Sequence, residues 1–83
     1  MDEYKWFKVS VESSREAVVA RLQEVDFQQE GEEYVDVQGR RVTFIDTSAV
    51  KIGIPPSEFI AEQEQLEFLV GTLGLDIDTV QQV

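Results

Sequence analysis

"EYVDVQGRRVTFID", residues Glu33 to Asp46, decides the fold. Two runs alternate apolar and polar side chains about one glycine, the pattern of a β-hairpin. The apolar positions argue for a register. A two-residue type II′ turn at Gly39-Arg40 sets Val37 opposite Val42 and Val35 opposite Phe44, so four apolar side chains share a face. Tyr34, Asp36, Thr43 and Ile45 then share the other. A turn at Gln38-Gly39 sets Val37 against Arg40 and Glu33 against Phe44, which spoils the apolar face, so the first register is preferred.

Towards the C-terminus, a turn at Asp46-Thr47-Ser48 leads into Val50, Ile52 and Ile54, which alternate as a further strand. Pro55-Pro56 ends it and Ser57 caps a second helix, which runs to about Leu73 with Gly74 as its stop. The tail LDIDTVQQV keeps Leu75, Ile77, Val80 and Val83 and reads as a short strand or helical turn. Towards the N-terminus, Gln28 to Glu33 reads as a turn. Before it, Ser13-Ser14-Arg15-Glu16 has the form of a capping box, with Ser13 as cap. The helix it opens runs to about Val25 on a stripe of Val18, Leu22 and Val25, with Val19 at its flank. Tyr4 to Val11 alternates and is rich in aromatic and β-branched residues, a strand with Phe7, Val9 and Val11 on one face and Tyr4, Trp6 and Lys8 on the other.

The order β-α-β-β-β-α plus tail gives a single α+β domain, a two-layer sandwich with both helices on one face of an antiparallel sheet. A ferredoxin-like split β-α-β is the alternative if the tail, rather than the 50–54 segment, completes the sheet.

Composition narrows the chemistry. The 83 residues are enough for one domain with a thin core. At 42% hydrophobic residues the chain is too apolar to stay disordered, even with a net charge of −10. No apolar run is long enough for a membrane span, and the start shows no secretory signal, so a cytoplasmic protein is expected. There is no Cys and no His. The commonest general base, transition-metal ligand and thiol nucleophile are therefore absent, and the chain reads as a non-enzyme without cofactor. Seventeen acidic residues against seven basic ones argue against direct nucleic-acid binding and against anionic lipid. Asp76-Ile77-Asp78 lacks the further oxygens and glycine of a calcium loop, so no metal site is read there, and Asp78 is expected to cap a final turn.

Three features can carry contact. On the open sheet face, Tyr4, Trp6, Tyr34 and Ile45 form an apolar patch suited to a partner. An aromatic sheet can also stack single-stranded bases, but neighbouring carboxylates repel the backbone. On the second helix, Phe59, Leu66, Val70 and Leu73 form the buried stripe with Leu69 at its edge, and Phe68 projects nearly opposite beside Ala61, Glu64 and Gln65. The tail lays Ile77 or Val80 on Phe68, a partner covers it, or it stays exposed as single apolar residues commonly do. Finally, Glu58, Glu62, Glu64 and Glu67 with Glu30, Glu32 and Glu33 form an acidic array. Such an array either only solubilises the chain or imitates a phosphate backbone. Together these features predict a non-catalytic protein–protein interaction module, homodimeric or a subunit of a larger assembly. Its contact residues are Tyr4, Trp6, Tyr34, Ile45 and Phe68, rimmed by Glu58, Glu62 and Glu64. The alternative is a small acidic inhibitor (immunity, anti-restriction or antitoxin-like) that blocks a basic site.

Overall fold

Asp36 ties the hairpin loop to itself and thereby sets the register of the sheet. Its amide donates to the Arg40 carbonyl at 3.1 Å, and the Gly39 amide donates to the Asp36 carbonyl at 3.0 Å. Asp36 Oδ1 accepts from the amides of Gln38 and Arg40 at 3.0 and 2.9 Å, while Oδ2 takes Arg40 Nε at 2.7 Å. Gly39 has φ +85°, so the loop is a three-residue turn closed by a left-handed glycine. Tyr34 consequently pairs with Val42 and Val35 with Arg41. This corrects the two-residue turn at Gly39-Arg40. The strand slides by an odd number of residues, so its faces invert. Tyr34 enters the core and Val37 leaves it, 96% exposed at the loop tip.

The computed structural model describes residues 3–83. The elements are β1 (Lys5–Val11), α1 (Arg15–Glu24), β2 (Gln28–Glu30), β3 (Glu33–Val35), β4 (Arg41–Asp46), β5 (Ala49–Ile54), α2 (Glu62–Leu73) and β6 (Leu75–Gln82). They form a six-stranded antiparallel sheet in the order β2-β3-β4-β5-β1-β6 with two helices, an α+β two-layer sandwich. The segment read as a turn, Gln28 to Glu33, contains the edge strand β2, whose exposed, polar residues show no apolar alternation. Both the 50–54 segment and the tail enter the sheet. β5 and β6 flank β1, and each is antiparallel to it, so they run parallel to each other. β5-α2-β6 is therefore a split β-α-β, which joins the two alternatives in one topology. The radius of gyration of 11.6 Å is that of a compact globule of this length.

The core lies between the sheet and the helices. Phe7 and Val9 of β1, Val42 of β4, and Val50, Ile52 and Ile54 of β5 meet Val18 and Leu22 of α1 and Leu66, Leu69, Val70 and Leu73 of α2. The cap of α1 is Ser14, whose Oγ accepts from the Ala17 amide at 3.2 Å. That moves the cap one residue beyond Ser13 and puts Ala17 where a capping box needs an acid, so Glu16 has no reciprocal role. Gly74 stops α2 as read, with φ 71° and its amide donating to the Val70 carbonyl. In β6, Thr79 Oγ1 accepts from the Ser10 amide at 2.9 Å and donates to the Asp76 carbonyl at 2.7 Å, filling an irregularity in the β1–β6 ladder. Asp78 caps no helical turn; its amide donates to Asp76 Oδ1 at 3.0 Å.

Candidate functional site

Pro55 and Pro56 offer no amide to continue the β5 ladder, and the chain leaves the sheet there. Ser57 Oγ accepts from the amides of Phe59 and Ile60 at 3.1 and 3.2 Å, closing a separate turn before the helix. The helix begins only at Glu62, with Ala61 as a cap that contributes no side-chain bond. This corrects Ser57 as the helix cap. It also removes Phe59 from the buried stripe, since the turn throws its ring into solvent, 93% exposed. The stripe is Leu66, Leu69, Val70 and Leu73, joined by the amide of Gln65.

Gln65 is 3% exposed, although the wheel set it on the outer side with Phe68. Its Nε2 donates to the Ile60 carbonyl at 3.3 Å, stitching the Ser57 turn to the first turn of α2. Three hollows meet at this side chain. One of about 500 Å³ lies between Tyr4, Pro55, Pro56 and Glu62. A second, about 390 Å³, lies among Pro56, Phe59, Ile60 and Gln38. The third, about 340 Å³, is walled by Ile60, Glu64, Arg40 and Phe68. Phe68 is 50% exposed, and the Arg40 guanidinium lies 5.3 Å from its ring centre. So the hairpin loop supplies a cover for Phe68, and only a partial one. Phe59, Ile60 and Phe68 thus share one end of the molecule with Glu58, Glu62 and Glu64.

The open sheet face is built differently. Trp6 lies across the sheet on Gly53, the residue opposite it on β5. Tyr4 stacks on Trp6 with ring centres 5.7 Å apart, and its hydroxyl donates to the Gly39 carbonyl at 2.7 Å. Lys51 Nζ stands 4.9 Å from the Trp6 ring, and the Arg41 guanidinium 5.7 Å from that of Tyr4. Arg41 also pairs with Glu33 at 2.6 Å. The Tyr4 hydroxyl first, and then Glu33, holds the Arg41 guanidinium above its ordinary value. Trp6 and Tyr4 are half-buried and their flanking cations are engaged, so this face offers a smaller apolar area than the sequence suggests.

The structure does not bring all the sequence-predicted contact residues together. Tyr34, placed on the open face by the sequence, belongs to the core face and packs edge-on to Phe44 with ring centres 6.4 Å apart. Ile45 is half-exposed by the β4–β5 turn, on a hollow shared with Tyr34 and Arg15. Gln65, Ile60, Arg40 and the Pro55-Pro56 corner are functional candidates that the sequence reading left out. The Phe68 position, off the stripe, was the one signal pointing to them. Among the described residues no cluster of three or more acidic side chains is placed to hold a metal ion, and no helix is long and apolar enough to cross a membrane. No family model, curated protein or solved structure matches the chain.

Proposed function

We propose that the chain is a non-catalytic protein–protein interaction module, one subunit of a larger assembly, which docks through the Phe59–Ile60–Phe68 end. The observation that carries this reading is Phe59, 93% exposed at the tip of a hydrogen-bonded turn and followed by Ile60, whose hollow reaches the half-exposed Phe68. A large aromatic presented by a hydrogen-bonded turn is an anchor whose backbone is already ordered before binding. Glu58, Glu62 and Glu64 form the rim, so a partner with basic groups is favoured and a second copy is disfavoured at low salt. The acidic inhibitor reading draws on that same rim.

Ionic strength separates the two. An inhibitor held by charge loses affinity steeply as salt rises, whereas an apolar anchor holds its partner. The test is capture of a partner from native lysate by the parent chain, Phe59→Ala and Phe68→Ala, at low and high salt, with mass by light scattering alongside. A partner retained in high salt and lost on either substitution supports the module. Capture that ignores both substitutions overturns it.

A further inference from the structure

The Gln65 amide has one end committed and the other free. A carbonyl accepts only from the amide NH2, so the bond to the Ile60 oxygen at 3.3 Å fixes Nε2 towards the turn. Among the described residues Oε1 accepts no hydrogen bond, yet no buried side-chain oxygen or nitrogen is sealed from solvent without a partner. Oε1 therefore opens on the hollows that Gln65 lines. A residue only 3% exposed presents its free acceptor in a mostly apolar concavity. Any occupant that displaces the water there has to bring a donor.

We propose, resting on the docking reading above, that this end takes an extended peptide segment of a partner protein. The segment is apolar at its centre and flanked by Lys or Arg, and one of its backbone N–H groups donates to Gln65 Oε1. The three hollows share walls in sequence, from Pro55 and Pro56 through Ile60 to Phe68, which suits a strand-like occupant. An extended segment also presents free backbone donors at regular intervals, whereas a helix has most of its own engaged. Charge sets the flanks. Glu3, Glu62 and Glu64 line the hollows, Arg40 is neutralised by Asp36 at 2.7 Å, and Lys5 is the one cation there with no ion pair among the described residues. A second copy would bring the same carboxylates against these.

The experiment selects short random peptides, displayed on phage, against the full chain. The best binder is then resynthesised as a set in which each backbone N–H in turn becomes N–CH3. The expected binders have an apolar centre with Lys or Arg at the flanks. One N-methyl position should weaken binding to the parent chain about tenfold, the worth of one hydrogen bond, and cost nothing on Gln65→Met. Should Gln65→Met fail to fold, the Gln65 side-chain NH2 resonances of the parent report instead. They shift on saturation with the parent peptide and shift less with the sensitive methylated one. Failure to select any peptide, neutral or acidic binders, or an equal penalty on parent and Gln65→Met each overturn the inference. So does a doubled mass with no peptide selected, which would seat a second copy in the hollows. A flat methyl scan, with binding still lost in Phe59→Ala and Phe68→Ala, removes the Gln65 contact and keeps the docking surface. Peptides indifferent to both phenylalanines remove the surface as well.

Discussion

Arg40 holds its guanidinium 5.3 Å from the centre of the Phe68 ring while its Nε grips Asp36 at 2.7 Å. A loop residue thus joins the hairpin to the exposed side of α2, and Phe68 is neither buried nor free. Phe68→Ala should leave the fold intact and cost about 1–2 kcal/mol in urea unfolding, the loss of a half-buried ring and its cation–π contact. A double-mutant cycle with Arg40→Ala should give a coupling of about 0.5–1 kcal/mol. If Phe68→Ala unfolded the chain, Phe68 would have to be a core residue, contrary to its half exposure.

Asp36 supports more than its partner. It accepts two loop amides and the Arg40 Nε, with its side chain 4% exposed. Asp36→Ala leaves these donors unmatched and should cost about 2–3 kcal/mol, read as a lower urea midpoint. Asp36→Asn keeps an acceptor for the loop amides and should lose less. Equal losses would mean that the loop geometry does not depend on the acceptor.

The same loop explains what the sequence could and could not reveal. Alternation correctly sorted β1, since Phe7 and Val9 face the core and Trp6 does not, and it found β5 through Val50, Ile52 and Ile54. It failed at β3 because Val35 and Val37 looked like core, while the hydrogen bonds of Asp36 favoured a longer turn that sends Tyr34 inward. Local turn chemistry outweighed hydrophobic matching there. β2 carries no apolar signal at all, being held by backbone pairing with β3. At the candidate site Phe68 was legible as a misfit on the wheel. Phe59 was misread, since Ser57 has the same preference for capping a helix as for closing the small turn it actually makes. Nothing in sequence spacing announces a buried Gln65.

The β4–β5 turn makes stability sensitive to acid. The Ser48 amide and hydroxyl donate to Asp46 Oδ1 at 2.7 and 2.9 Å. The Ser48 amide chiefly, then its hydroxyl, lowers the Asp46 carboxyl below its ordinary 3.8. A lowered folded value contributes stability that is present above pH 3.8 and is lost as pH falls through the folded value. Asp46→Asn, which resembles the protonated form, should therefore melt below the parent at neutral pH. The gap should close in more acid solution. A gap that stays constant from neutral pH to below 3.8 would show that the charge on Asp46 contributes nothing.

Gly53 and Trp6 give the sharpest test of the open face. A Cβ at Gly53 would stand 2.6 Å from Trp6 Cζ3 and 2.7 Å from Cη2, closer than carbon atoms approach. Gly53→Ala must therefore lift the indole from the sheet and disturb its Tyr4 stack and Lys51 contact, at about 1–3 kcal/mol. The chain has one tryptophan, so its emission reports the displacement directly and should shift to the red. Gly53 is not among the residues with positive φ, and glycine in a strand otherwise carries an entropic penalty. In a Trp6→Ala background the sign should consequently reverse, with Gly53→Ala stabilising by about 0.5–1 kcal/mol. Equal effects of Gly53→Ala in both backgrounds would mean the indole does not rest on β5, and that the aromatic face is more open than Trp6 and Tyr4 make it.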